Sequence, residues 1–183
     1  TAAGRQSEDA GRQPDKPVAS PRPVAVAAPA PATLSQQVLG NVLLTEEVKY
    51  VYDDLHNLVE LPSEVRRVVS IVPSLTESIA ITDAARIVGA TDWCTHPTDL
   101  DVVRVRGTKN PDLDRIRELA PDVVVANAEE NKAADLDALR ASGIAVWVTA
   151  PTTVPESLDS LGRMLSAILG TEPGAGLVDL VFD

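Results

Sequence analysis

The sequence predicts an α/β fold in which a parallel sheet is flanked by helices. Three observations carry that expectation. Short, β-branched apolar runs recur after Arg66, and each suits a strand buried on both faces. Segments with helical apolar spacing alternate with those runs, the order that builds parallel sheets by crossover connections. Cap and stop residues (Pro, Ser, Asn, Thr and Gly) stand at the joints between them.

The first strand of the regular pattern is "RRVVSIV" (Arg66–Val72). Pro73 follows, and "SLTE" (Ser74–Glu77) reads as a capping box in which Ser74 caps a helix and Glu77 returns the bond. "RIVGAT" (Arg86–Thr91) is the next strand. In "NPDLDRIREL", Asn110 is the expected cap and Pro111 the first helical residue, with Leu113, Ile116 and Leu119 facing inward. "DVVVA" (Asp122–Ala126) is a third strand, after which Asn131 caps a helix carrying Leu136 and Leu139 and stopped by Gly143. "IAVWV" (Ile144–Val148) is the fourth. Thr153 and Glu156 form a second capping box, opening a helix with an inward stripe of Val154, Leu158, Leu161, Leu165 and Ile168 that ends at Gly170.

Upstream the signals weaken. Residues 1–33 hold six of the fourteen prolines and nine alanines with no aromatic residue, so they are expected to be a disordered Ala/Pro-rich tail. Residues 34–47 suggest a short amphipathic helix through Leu34, Val38, Val42 and Leu43, against which Gly40 and Asn41 count. "VKYVYDDLHNLVEL" (Val48–Leu61) reads as two strands around a polar turn at Asp53–Asn57.

Charge and cysteine usage exclude several functions. The chain carries −11 overall, and residues 1–33 hold four basic against three acidic side chains, which leaves −12 on residues 34–183. So acidic a body does not suit a phosphate backbone, and no nucleic-acid partner is expected. A single cysteine, Cys94, excludes an intrachain disulfide and a multi-cysteine zinc site. No apolar run approaches the roughly 18–20 residues that span a bilayer. The Pro-interrupted stretch at Pro21–Ala32 does not read as a secretion signal.

In a parallel sheet, ligands bind outside the carboxyl ends of the strands. Pro73–Thr76, "TDWCTHP" (Thr91–Pro97), Asn127–Asn131 and Thr149–Thr153 all leave strands at that edge. Their chemistry allows several readings. Asp92, His96 and Glu129 or Glu130 would make three metal ligands if they converge, whereas a bland His96 shapes the turn before Pro97. Cys94 and His96 would be a nucleophile and its base, but such a base normally comes from elsewhere in the fold; otherwise Cys94 packs. Ser74 and Thr76 would bind an anion at a helix start or cap that helix, and no glycine-rich phosphate loop is present. Glu129 and Glu130 are an acid/base pair or companions of the helix dipole. Trp93, a large aromatic in a polar loop, meets either a ligand or its own fold.

Five collinear blocks add a resemblance. "RRVVSIVPSLTE", "IVGATDWCTHP", "VRGTKNPDLDRI", "LAPDVVVANAEEN" and "LRASGIAVWVTAPTTVPESLDSL" follow the order and spacing of the substrate-binding proteins of ABC importers with a helical backbone. These are the cobalamin and iron-siderophore receptors, and the blocks are most similar to the cobalamin-binding branch. The resemblance covers Val48 to Gly170.

It implies a Rossmann-like first lobe of a two-lobed fold that holds a metal chelate, cobalamin or a ferric siderophore, without chemistry or an intrinsic cofactor. Carried over, ligand contacts fall on Pro73, Ser74, Leu75, Asp92, Trp93, Thr108, Lys109, Glu129 and Glu130, with Glu77 docking an ABC permease. A monomer outside the cytoplasm is implied. The departures are a first helix one residue short, without the usual glycine turn, and an ending "TEPGAGLVDLVFD" (171–183) where a linking helix should start, for which Gly174 and Gly176 are poor choices. The expectation is therefore an incomplete first lobe (48–170) with a truncated start of the connection. The competing readings are an α/β enzyme using Ser74, Cys94 or Glu130, and a folded but inert truncation product.

Overall fold

The computed structural model describes residues 37–39, 42–44 and 47–171. The expected tail over residues 1–33 and the connection from residue 172 onward lie outside these residues. Eleven strands, four α-helices and one short 3-10 helix (Ala84–Arg86) are present among them. Two hairpins come first: β1 (Gln37–Leu39) with β2 (Val42–Leu44), and β3 (Val48–Tyr52) with β4 (Leu58–Pro62). The main sheet comprises β5 (Val68–Ser70), β6 (Ile87–Ala90), β7 (Val103–Arg104), β10 (Val123–Asn127) and β11 (Val146–Thr149). Between β7 and β10 runs the small hairpin β8 (Arg106–Gly107) and β9 (Asn110–Pro111). The helices are α1 (Pro73–Asp83), α2 (Leu113–Glu118), α3 (Ala133–Ala141) and α4 (Val154–Leu169).

The main sheet runs in the order β11-β10-β5-β6-β7 and every pairing is parallel. This is the α/β architecture anticipated from the apolar runs. β5 is buried at all three positions, as are the first four of β10 and all four of β11. Alternate residues serve opposite faces. Val68, Val123, Val125 and Trp147 pack against Leu75 and Ile79 of α1, Met164, Leu165 and Ile168 of α4, and Val59 and Leu61 of β4. Val69, Val124, Val146 and Val148 pack against Ile116 of α2 and Leu136 and Leu139 of α3.

Helices therefore cover both faces, and the connection leaving β5 crosses the first face while that leaving β10 crosses the second. The sheet order reverses between these two neighbours, which makes the carboxyl end of the β5–β10 pair its switch point. Gly89 in β6 serves the same packing, since a Cβ there would lie 2.6 Å from Leu119 Cδ1.

Trp147 is 1% exposed, and its Nε1 finds no hydrogen-bond partner among the described residues. An unpaired N–H costs about 1–3 kcal/mol. Removing some 150–250 Å² of indole from water returns roughly 4–6 kcal/mol at about 25 cal/mol per Å². Burial wins.

Hairpin β3–β4 buries Val59 and Leu61 and turns through Asp53, whose carboxylate accepts hydrogen bonds from the amides of Leu55 and Asn57. The adjacent Asp54 fastens the turn to β11, the residue after it and α4. Its amide donates to Val148 O (3.2 Å), and its carboxylate accepts from Ala150 N (2.9 Å), Arg163 Nη2 (2.7 Å) and Ser160 Oγ.

Several local expectations are corrected. Of the helix expected over residues 34–47, the described residues 37–39 and 42–44 are paired antiparallel strands, not helix, and the sequence between them, Gly40-Asn41, is a dipeptide suited to a two-residue reversal; the remaining residues of that stretch except Glu47 lie outside the described ones. Ser74 does not cap α1; Val72 stands at the N-cap and Pro73 opens the helix. The pre-proline residue is held extended, so the helix starts two residues earlier than a serine cap requires. Asp112 rather than Asn110 caps α2, accepting from Arg115 N (3.1 Å), because Asn110 and Pro111 are used in β9.

Lys132, with no side-chain bond, is the N-cap of α3, and Asn131 is occupied elsewhere. Thr153 does cap α4, but Glu156 reaches past it to the amide and hydroxyl of Thr152. Only the lower part of the α4 stripe is buried, with Val154 at 75% and Leu158 at 41% exposure. Val154–Asp159, at the start of α4, are all exposed, and burial begins at Ser160.

Two outcomes test these contacts. Asp54→Ala should lower unfolding stability by about 2–3 kcal/mol in urea, since a charged acceptor shared by three donors is lost. The hydrogen bonds from the Thr152 hydroxyl and then its amide hold the Glu156 carboxyl below its usual value. A depressed folded pKa contributes stability above the unfolded value of about 4.3, and that contribution is lost as pH falls through the folded one. Protection of the first α4 amides from hydrogen exchange should therefore decline on acidification in the wild type and follow a flatter profile in Glu156→Gln.

Candidate ligand-binding edge

Parallel strands end with unpaired backbone groups at their carboxyl edge, and here the loops satisfy them by bonding to one another. After β5, Ile71 N donates to Val125 O (3.1 Å), and α1 begins two residues later. Pro73 occupies the first helical position, so the amides of Ser74 and Leu75 have no intrahelical acceptor and lie at the edge. The Leu75 side chain points the other way. It is 8% exposed and belongs to the core, which leaves only its backbone for a ligand. Ser74 and Glu77 are exposed on α1.

The loop after β6 is fixed from beneath. Cys94 is fully buried, and its sulfur lies 3.0 Å from Thr76 Oγ1 and 3.1 Å from Thr91 Oγ1. Arg104 donates to the carbonyls of Thr91 (3.1 Å), Cys94 (2.8 Å) and Leu100 (3.2 Å). Asp92 N donates to Arg106 O (2.8 Å), tying the loop to β8.

With its base held in this way, the loop lifts Trp93 to 67% exposure beside Gly107. A Cβ at Gly107 would lie 2.5 Å from Asn110 Oδ1 and 3.4 Å from Trp93 Nε1, so glycine permits both neighbours. His96 is exposed, and its Nδ1 is 3.1 Å from Thr95 Oγ1.

The third segment follows β10. Asn127 Oδ1 accepts from the amides of Glu129 (2.9 Å) and Glu130 (3.2 Å), leaving both glutamates exposed. Lys109, in the β8–β9 turn, donates through Nζ to the carbonyl of Glu129. Asn131 reaches inward and donates to Thr108 O (2.9 Å) and Ile71 O (3.3 Å). Thr149 Oγ1 accepts from Asn127 Nδ2 (3.2 Å) and carries the same network to β11.

Pro73, Ser74, Thr108, Lys109, Glu129 and Glu130 thus belong to segments bonded directly together at the β5–β10 switch point. Asp92 and Trp93 join them through β8. Sequence reasoning missed Arg104 and Asn127, and it misassigned Asn131. The spacing of Asn127 and Asn131, four apart after an apolar strand, is the one signal that pointed to them.

Among the described residues no three His, Cys, Asp or Glu side chains stand close enough to hold a metal ion. The set of Asp92, His96 and Glu129 or Glu130 does not assemble. His96 bonds to its neighbour Thr95, and the Cys94 thiol faces hydroxyls instead of an imidazole. A groove of about 560 Å³ between β4 and the entry to β11, lined by Leu58, Glu60, Arg140 and Ile144, lies at the opposite end of the strands and shares none of these loops.

A flat, uncharged side chain, free helix-start amides and three acidic side chains thus line one edge of the parallel sheet. Residues 68–175 match the sequence profile of the periplasmic binding protein family, and the chain belongs to that family. It is 33% identical over 98 residues to an uncharacterized ABC transporter substrate-binding lipoprotein, YvrC of Bacillus subtilis (strain 168), covering 52% of this chain and 31% of the relative. The chain thus spans about a third of that relative's length.

Among solved structures, a periplasmic heme-binding protein from Pseudomonas aeruginosa is similar with a TM-score of 0.54 and 25% identity, over 58% of this chain and 39% of that one. The vitamin B12-binding protein BtuF of Vibrio cholerae is similar with a TM-score of 0.50 and 23% identity, over 57% and 42% of the two chains. The fold is that of one part of a two-lobed periplasmic binding protein. No helix among the described residues is long and apolar enough to cross a membrane.

The buried sulfur gives this site its own check. Cys94 should react with an aromatic disulfide reagent only at the rate of global unfolding, far more slowly than a free thiol. Rapid native-state modification would show instead that the loop after β6 opens on its own.

Proposed function

We propose that this lobe is the ligand-binding first half of an ABC-importer substrate-binding protein that works outside the cytoplasm and presents its carboxyl edge to a metal chelate. Cobalamin is the first choice and a ferric siderophore the second. The observation that carries the reading is Trp93, a largely exposed indole anchored at its base and seated over a glycine, beside the loops of the β5–β10 switch point. Such a ring offers a flat apolar face to a macrocycle. Asp92, Glu129 and Glu130 supply acceptors for amide donors at its rim, and the free amides of Ser74 and Leu75 supply donors for its acceptors. The function asked of this edge is binding without turnover. Glu77, exposed on α1 and free of any capping duty, is the acid that would meet a basic pocket on the permease.

One wall buries far less of a ligand than the 70–90% typical of a closed pocket. The lobe alone should bind weakly, with a Kd on the order of 0.1–1 mM. Titration with cyanocobalamin, and separately with a ferric siderophore, should quench tryptophan fluorescence saturably. Trp147 is buried, so the quenching should vanish in Trp93→Ala. No quenching up to millimolar ligand would refute the lobe as a receptor by itself.

A further inference from the structure

Asn131 is 5% exposed in a loop whose neighbours Ala128, Glu129, Glu130 and Lys132 all face solvent. An asparagine is buried at the rim of a sheet only if its amide is fully used, because an unpaired buried polar group costs about 1–3 kcal/mol. Here both ends are used. Oδ1 accepts from Asn127 N (2.9 Å), and Nδ2 donates to Ile71 O (3.3 Å) and Thr108 O (2.9 Å). The two acceptors are backbone carbonyls 60 and 23 residues away in sequence. The side chain does not cap α3, which starts from Lys132. No helical duty accounts for it.

What the three partners share is their position. Ile71 precedes the free amides at the start of α1, Thr108 begins the turn that carries Lys109, and Asn127 anchors the turn that displays Glu129 and Glu130. We infer that Asn131 is a positioning residue for the ligand-facing edge, a single amide that sets the spacing of these three segments at the β5–β10 switch point. It touches no ligand itself and acts through the backbone it holds. The inference deepens the proposed function and rests on it for the word ligand, but not for the geometry.

No other side chain of similar size can replace it. Aspartate keeps the acceptor toward Asn127 N but turns acceptor oxygen toward two carbonyls, and alanine leaves both carbonyls without their donor. The segment that should respond is 106–112. It is a two-residue-strand hairpin, joined to the sheet by Asp92 N donating to Arg106 O and Asp112 N donating to Val105 O, and to the rest of the edge by Asn131 Nδ2 donating to Thr108 O and Lys109 Nζ donating to Glu129 O.

The experiment is hydrogen exchange on the purified chain, wild type against Asn131→Asp and Asn131→Ala, with a cyanocobalamin titration of each. Exchange over residues 106–112 should quicken at least tenfold in both variants while β5, β10 and β11 keep theirs within twofold. Affinity should fall at least tenfold. Unchanged exchange over 106–112 would overturn the inference, as would faster exchange with unchanged affinity.

Should both variants fail to fold, the wild type decides by NMR. The Asn131 side-chain amide should show scalar couplings through its hydrogen bonds to the Ile71 and Thr108 carbonyls, and their absence would overturn the assignment. If the wild type does not bind cyanocobalamin, the receptor reading falls, and exchange and couplings alone decide whether Asn131 positions these loops.

Discussion

The pairing of β5 with β10 is the interaction on which the rest of the molecule depends. Val68, Val69 and Ser70 lie beside Val123, Val124 and Val125 with no exposed position in either set, and the ladder continues past β5 to Ile71. A strand pair buried on both faces must be covered by two layers of helix, and its connections must leave on opposite sides for both layers to form. Coverage and reversal are thus one requirement. The switch point that results is a place where loops from separate parts of the chain end at the same height with backbone groups left to satisfy.

How those groups are satisfied separates structure from function at the edge. Buried polar side chains hold it together from below: Thr76, Thr91 and Cys94 under the loop after β6, Asn131 and Thr149 under the loop after β10. Charged and aromatic groups sit above. Cys94, the most reactive group in the chain by type, falls on the lower level. Its role follows from burial: a small soft sulfur between two hydroxyls fixes the height of the loop that carries Trp93.

Much of the fold was legible in the sequence, and for a physical reason. Strands buried on both faces must be continuously apolar, so β5, β6, β10 and β11 announce themselves without ambiguity. The caps did not, because a cap is defined by the backbone angles of its neighbours. Pro73 moved the start of α1, and Pro111 was drawn into a hairpin instead of opening α2. Leucines spaced through residues 34–44 fit a helical stripe and a hairpin alike, and the dipeptide Gly40-Asn41 was the better guide.

At the site, the loops could be placed by chain order alone. Which side chains they expose could not: Leu75 turns inward and Asn131 leaves its helix, both decided by contacts more than twenty residues away in sequence.

The clasp at Asp54 sets an order of events for the chain. Its partners Ser160 and Arg163 lie 106 and 109 residues downstream. Contacts of such separation close a large loop and are late and slow to form. During synthesis at roughly 5–20 residues per second, hairpin β3–β4 is made several seconds before α4 exists to receive it. For most of that interval β11, to whose Val148 O the Asp54 amide donates, has not been made, and Val59 and Leu61 have no complete core to enter. The core is therefore closed late: α4, the last helix among the described residues, is the one that lets hairpin β3–β4 settle.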